Sequence, residues 1–311
     1  MRKGMNNLLL LGGAGFLGSN LVGWLSGRFD GRIVVLEPEE ADVSRIAGRN
    51  VILERGSLAD ESLIRRIVRE NQVDCIVHMV STMVPGGNYE DFRVEQERVL
   101  EPTFSLIRFC AAEGIRFVFF SSGGTVYGDG RPGERFREDA ALSPKSYYGI
   151  AKRMVEEFIQ FEHRTDGLSY LILRPSNPYG PGQRPDGRQG LIAVALGKVL
   201  SGESLSVWGD GQAVRDYIYI DDLVDSVSRL LLSDVSDEVI NIGSGTGRTV
   251  NEVLDTVRAA TGRPLAVRYV DRRKEDVSSV VLSVEKLDRF FKRDLVGLED
   301  GIRRFYEYLQ R

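Results

Sequence analysis

Short apolar runs alternate through the first part of the chain with longer stretches in which apolar residues recur every three or four positions. The runs at 8–11, 33–36, 51–53, 75–80, 117–121 and 170–173 are too short for helices, so they predict buried strands. The stretches at 60–70, 91–113 and 152–164 carry the period of helices that bury one face. This alternation predicts an α/β fold built on a doubly wound parallel sheet of the Rossmann type. After Arg174 the texture changes to PSNPYGPGQRPDGRQG, whose prolines and glycines mark a loop leaving the sheet. Beyond it, 221–232 reads as a helix and 238–242 as a strand, both returning to the first sheet. The expected organisation is a first domain over 1–175, to which 217–243 returns, and a smaller, partly interleaved domain over 176–311.

Composition narrows the range of partners. With 311 residues and 42% hydrophobic content the chain can bury one large core or two joined ones. A formal charge of −4, with no basic tail and no interleaving of aromatic and basic residues, argues against nucleic acid as a partner. The apolar run near the N-terminus is too short to span a bilayer and leads into a glycine turn, so it reads as a strand, not a membrane anchor or signal peptide. A cytoplasmic protein is expected. Cys75 and Cys110 lie in a strand pattern and a helix pattern with no paired spacing, and read as buried thiols. His78 and His163 have no ligands at zinc-like spacing, so no metal is expected.

The first chemical signal is LLLLGGAGFLGSNLVGWL, a strand, a tight turn and a helix. Gly12 permits the turn, Gly15 lets backbone approach a pyrophosphate at the helix N-terminus, and Gly18 lets helix and strand pack closely. Phe16 and Leu17, which open the helix, belong to the same cofactor-binding stretch. The next strand ends in Glu37, about 20 residues on, where an acidic side chain would hydrogen-bond an adenosine ribose. With Pro38 and Glu39 following and no neighbouring arginine for a 2'-phosphate, NAD is favoured over NADP.

The second signal is SYYGIAK. Of the 11 tyrosines only Tyr148 has a lysine, Lys152, four residues later, a spacing that puts both on one helix face. Positive charge from Lys152 and from an oxidised nicotinamide would favour the phenolate, making Tyr148 a base. Tyr147 beside it is a packing or substrate-contact residue.

The succession GGAGFLG, SSGGTVYG, YxxxK, LRPSNPYGPG, GDGQAVRDYIYIDD and NIGSGTGRTVNEV resembles the extended short-chain dehydrogenases over essentially the whole chain. Within them it is most similar to the NAD-dependent nucleotide-sugar epimerases and dehydratases typified by UDP-galactose (UDP-glucose) 4-epimerase. The resemblance implies that Tyr148 takes the sugar hydroxyl proton and that Lys152 holds the nicotinamide ribose. It places Thr125 and Ser122 beside the substrate hydroxyl and Asn177 near the substrate diphosphate. Arg215 and Arg273 would clamp phosphates, for which a planar guanidinium is suited, and Asp276 would contact a ribose. Relatives often dimerise through two helices per subunit, here 91–113 and the helix carrying Lys152, so a homodimer is implied.

Three positions depart from the family pattern: Gly123 stands for a common serine, Val99 for an asparagine and Met83 for a lysine found in some relatives. Val280 aligns with a position whose bulk separates N-acetylated from plain hexoses. The stretch Gly123, Gly124, Thr125 holds none of the acids that dehydratases or decarboxylases of this group carry there, whereas epimerisation through a 4-keto sugar needs no further acid or base. The expected activity is C4 epimerisation of a UDP-hexose. A 4-ketoreductase using the same pair is the alternative, and a catalytically silent NAD-binding regulatory protein is the alternative outside enzymes.

Overall fold

The computed structural model describes residues 6–187, 189–271 and 277–311. Seven parallel strands form the central sheet: β1 (Asn7–Leu11), β2 (Arg32–Glu37), β3 (Ile52–Arg55), β4 (Cys75–His78), β5 (Arg116–Phe120), β6 (Tyr170–Pro175) and Glu238–Ile242. Across the sheet they run β3, β2, β1, β4, β5, β6, with Glu238–Ile242 at the edge beside β6. The order reverses between β1 and β4, the point at which open α/β sheets leave a crevice beyond their strand ends.

Alternate residues of the central strand feed two cores. Leu8 and Leu10 pack with α1 (Phe16–Leu25) and the helix Ile220–Leu231, through Leu21, Val22, Leu223 and Val227. Leu9 and Leu11 face the other side, where α2 (Glu61–Asn71), α4 (Glu101–Glu113) and α6 (Tyr147–Asp166) contribute Ile67, Ile107 and Val155. Burial on both faces explains why β1 reads as an uninterrupted apolar run.

Two helices differ from the sequence expectation. The stretch 91–113 is not one regular helix: α3 (Tyr89–Glu95) passes through a wide π turn, Gln96–Leu100, into α4. Pro102, in the first turn of α4, has no N–H to donate to the carbonyl four residues back, and the Glu101 N–H bonds Gln96 O, five residues back. The helix expected from 152 begins at Tyr147, because the Ser146 hydroxyl caps it by accepting from the Gly149 N–H at 3.1 Å. Tyr148 therefore stands in the first turn of α6, one turn before Lys152.

The C-terminal part adds smaller sheets. Val214–Tyr219 pairs with Asn177–Tyr179, Gly247–Thr249 and Ser279–Val280, while Leu205–Trp208 pairs with Val267–Val270. Asp216 is fully buried among these elements, its carboxylate accepting from Ser244 N, Ser244 Oγ and Gly245 N.

A buried ion pair fastens α6 to the sheet. Arg174, on β6, donates from Nη2 to Glu156 Oε2 at 2.6 Å and from Nε to both Glu156 oxygens, and its Nη1 reaches Tyr127 Oη at 2.7 Å and the Glu138 carbonyl. Tyr127 in turn donates to Asn241 Oδ1 at 2.6 Å. Removing one partner of such a pair leaves an uncompensated buried charge. Glu156→Ala is expected to cost about 3–5 kcal/mol of folding stability. Urea unfolding measures it, and a loss below about 1 kcal/mol, the scale of an exposed pair, would overturn the assignment.

Candidate active site

A cavity of about 880 Å³ opens where the sheet meets the C-terminal elements, bounded by the ends of β4, β5 and β6 and by the region from Gln183 to Arg215. Tyr148, Lys152, Thr125, Ser122, Asn177 and Arg215 all line it, as do Phe16 and Leu17. Residues as far apart in sequence as Phe16 and Arg215 thus share one cavity. Arg273 and Asp276 lie outside the described residues.

Lys152 is 5% exposed, with Nζ 5.5 Å from the centre of the Tyr148 ring and 4.9 Å from that of Phe119. Burial holds its ammonium down to about 8, against the opposing pull of Glu95 and Glu156. Tyr148 keeps part of its surface open to the cavity, but its phenol is closely enclosed. Burial first, and then the negative charge of Glu95, raise its pKa well above the ordinary value. The chain's own charges therefore do not produce the phenolate expected from the tyrosine-lysine spacing, because burial and the charge of Glu95 both favour the neutral phenol. Tyr147 does not line the cavity: it is 41% exposed and its ring packs 5.7 Å from those of Tyr89 and Phe92.

Hydroxyls line the same cavity. The side-chain oxygens of Thr125, Ser121 and Ser176 are buried without a hydrogen-bond partner, and all three residues line the cavity. A buried hydroxyl left unpaired costs free energy, so three in one cavity mark a place built to meet a polar ligand. Thr125 is brought to the pair by Gly149, where any Cβ would lie 2.8 Å from the Thr125 carbonyl. Gly123 has a packing reason: a Cβ there would meet Leu282 at 2.6 Å and the Arg174 carbonyl at 2.9 Å. Ser121, Ser176 and Ser81 are cavity residues that the sequence did not single out; Ser121 stands inside a quoted motif, and Ser176 directly follows the strand-ending Arg174-Pro175.

The glycine turn has the form of a pyrophosphate cradle. Gly12 adopts φ +81°, open to glycine and strained for other residues. A Cβ at Gly18 would fall 2.2 Å from the Gly12 carbonyl oxygen, whereas at Gly15, the residue before α1, it would meet protein only at 3.4 Å. Gly18 thus packs the turn and Gly15 leaves its outer surface open at a helix N-terminus, the arrangement that receives phosphate. Glu37 is 6% exposed at the end of β2 and accepts the Ala14 N–H through Oε1 at 2.5 Å. Burial raises its pKa, opposed by that N–H and by Arg55. The sequence neighbourhood of Glu37 holds no arginine, but β3 pairing sets Arg55 opposite it, with Nη1 committed to the carbonyls of Pro38 and Ala41. The cradle, the acid and the unpaired hydroxyls fit a dinucleotide.

At the far end, Asn177 donates to the Asp216 carbonyl at 2.8 Å, and Arg215 donates to the carbonyls of Val214 and Val277 while lining the cavity. Trp208, 47% exposed, forms part of the same wall. Val280, aligned by sequence with a sugar-gating position, is 2% exposed in a satellite core with Val126, Tyr127, Phe136 and Leu282. His78 bonds Thr103 at 2.9 Å and is held neutral by burial, its pKa falling to about 3. Among the described residues no group of three His, Cys, Asp or Glu side chains could hold a metal ion, and no helix is long and apolar enough to cross a membrane.

Comparison with known proteins agrees with this geometry. Residues 8–243 match the model of the NAD dependent epimerase/dehydratase family. The crystal structure of UDP-glucose 4-epimerase from Thermotoga maritima superposes with a TM-score of 0.91 at 30% identity, covering 98% of both chains. That of Thermus thermophilus UDP-glucose 4-epimerase in complex with NAD gives 0.90 at 31% identity, covering 98% of this chain and 99% of that one. A dTDP-4-dehydro-6-deoxyglucose reductase of Escherichia coli is 29% identical over 306 residues, 96% of this chain and 95% of the relative. By motif order, sheet topology and the placing of the tyrosine-lysine pair, the chain belongs to the NAD dependent epimerase/dehydratase family.

Proposed function

We propose that this protein is a nucleotide-sugar 4-epimerase acting on a UDP-hexose through a transient 4-keto sugar. The observation that carries the reading is the meeting of Tyr148, Lys152 and the unpaired Thr125 hydroxyl in one cavity, on a loop whose residues 122–125 contain no carboxylate. A reaction that needs only one acid-base group and a returning hydrogen fits that loop.

The first domain, 1–175 with 217–243, takes NAD, and 176–311 takes the nucleotide sugar. Gly12, Gly15, Gly18, Phe16 and Leu17 hold the pyrophosphate, Glu37 an adenosine ribose, and Lys152 the ribose next to the reacting centre. When bound, NAD would supply an oxidised ring able to take the carbon-bound hydrogen of the sugar with its electron pair and return it to the other face, and its positive charge would offset the burial that keeps Tyr148 protonated. Tyr148 Oη then takes the proton of the sugar hydroxyl and gives it back. Thr125 and Ser122 hold that hydroxyl in line. Arg215 and Asn177 bind the diphosphate and Trp208 offers a face to the base, so binding energy from these non-reacting groups retains the ketone while its ring turns.

A ketoreductase is the second reading, favoured by the similarity to the Escherichia coli reductase, since it uses the same pair and needs no added acid. In deuterated water, with UDP-glucose, UDP-galactose, their N-acetyl forms and UDP-glucuronate, proton NMR is expected to show interconversion at C4 without deuterium uptake. Change only when a keto sugar and reduced cofactor are supplied would replace the epimerase by the reductase. Tyr148→Phe is expected to lower turnover about 100-fold to 10,000-fold, and unchanged turnover would reject the mechanism.

Lys152 links the site to stability. The unfolded chain holds the Lys152 proton up to 10.5 and the folded chain only to about 8. Between those values the unfolded state binds more protons, so this group makes stability rise with pH across that window and costs about 3 kcal/mol below it. Lys152→Met is expected to be the more stable protein at neutral pH, with its advantage shrinking as pH climbs through the window. Urea midpoints that differ by a constant amount would contradict this.

The same reading includes a cytoplasmic homodimer. Cys75 and Cys110 are buried free thiols. Ile150, Met154 and Phe161 stand exposed on one face of α6, with Val94 exposed on neighbouring α3. Light scattering is expected to give twice the chain mass for the wild type and a monomer for Met154→Glu; a monomeric wild type at micromolar concentration would remove the dimer.

A further inference from the structure

Glu95 ends α3 and is 2% exposed, a burial that charged residues rarely reach without a paired cation. Its carboxylate instead accepts from three neutral donors: Thr82 N at 2.6 Å, Thr82 Oγ1 at 2.6 Å and Ser81 Oγ at 2.8 Å. Among the described residues no lysine or arginine forms an ion pair with it. Ser81 also bonds within its own turn, accepting from Met83 N at 3.2 Å, and it lines the cavity with Tyr148. The π turn begins at the next residue.

The charges around Lys152 make this carboxylate consequential. From α6 itself, Glu156 faces the lysine, but three short bonds commit it to Arg174. From β4 comes His78, neutral through burial. The neighbouring residues of β5 and of the short helix Gly123–Val126, Phe119 and Thr125, carry no charge. A buried ammonium resting on two aromatic rings needs a negative partner field; Glu95 and Glu156 both supply it, Glu95 the more strongly, because Glu156 is shared with Arg174. The same charge acts on Tyr148.

We propose that Glu95 is a positioning residue for the Tyr148 and Lys152 pair: it braces the Ser81–Thr82 turn of the cavity wall and sets a buried negative charge behind that wall. The inference rests on the acid-base reading given above. Loss of the charge removes a favourable partner from the ammonium and a repelling one from the phenolate. Both groups then release their protons more readily, so the two limbs of the pH-rate profile move in one direction.

The test compares Glu95→Gln with Glu95→Asp in the NAD-loaded enzyme. For Glu95→Gln both limbs of kcat/KM are expected to move to lower pH by about 1 unit or more, whereas Glu95→Asp, which keeps the charge, leaves them near the wild-type positions even where the rate falls. Thr82→Val, which removes a brace without changing charge, is expected to lower kcat with the limbs in place. A readout independent of turnover is the ultraviolet absorbance of phenolate: the titration step that Tyr148→Phe deletes is expected at lower pH in the Glu95→Gln background. Limbs and absorbance step unmoved in Glu95→Gln, or moved equally in Glu95→Asp, would overturn the proposal. If Tyr148→Phe retains turnover, the underlying mechanism fails; if it is inactive while Glu95→Gln leaves the limbs in place, only the role of Glu95 fails.

Discussion

The bidentate contact between Arg174 and Glu156 is the constraint on which the site depends. It ties β6 to α6, and through Tyr127 and Asn241 it reaches the edge strand Glu238–Ile242. Because Glu156 lies one turn beyond Lys152, fixing it fixes the roll of α6, and with it the side from which lysine and tyrosine enter the cavity. A buried pair of this kind is costly to break and need not be a large net source of stability. Its value here is geometric. It also shares the charge of Glu156 with Arg174, so of the two carboxylates that act on Lys152 Glu95 acts the more strongly.

Close backbone approach does the rest of the positioning. Gly18 lets α1 sit against the phosphate turn, and Gly149 lets the first turn of α6 sit against the Thr125 carbonyl. The second approach brings Thr125 to a cavity that is apolar at Met79, Val84, Pro85 and Leu17. A site of mixed character of this kind binds through a few placed polar groups, which is how a sugar ring can be held loosely while its nucleotide is held firmly. The phenol and the ammonium are both pushed towards their neutral forms by burial.

Much of the fold was legible because its signals are local and strong. Apolar runs found the six strands β1 to β6 to within a few residues, since residues buried on both faces leave an unbroken pattern; β3, expected to be buried, is instead the edge strand and leaves Ile52 and Leu53 exposed. The helix break near Leu100 was harder to see: Pro102 sits where helices tolerate proline at a first turn, and only the five-residue hydrogen bond of Glu101 reveals the wide turn. The start of α6 at Tyr147 was readable from Ser146 as a cap, a cue weaker than the apolar period that begins after it.

The sequence by itself determined the chemistry that depends on spacing: a glycine turn at a helix N-terminus, an acid at the next strand end, and a tyrosine and lysine sharing a helix face. Tertiary structure decided what depends on neighbours from elsewhere in the chain. It set Arg55 across from Glu37, packed Leu282 where Gly123 has no side chain, buried Val280 away from the cavity, and placed Glu95 against the Ser81–Thr82 turn of the cavity wall. It also reversed the sign of the shift at Tyr148, because desolvation is a property of enclosure, which no local spacing encodes.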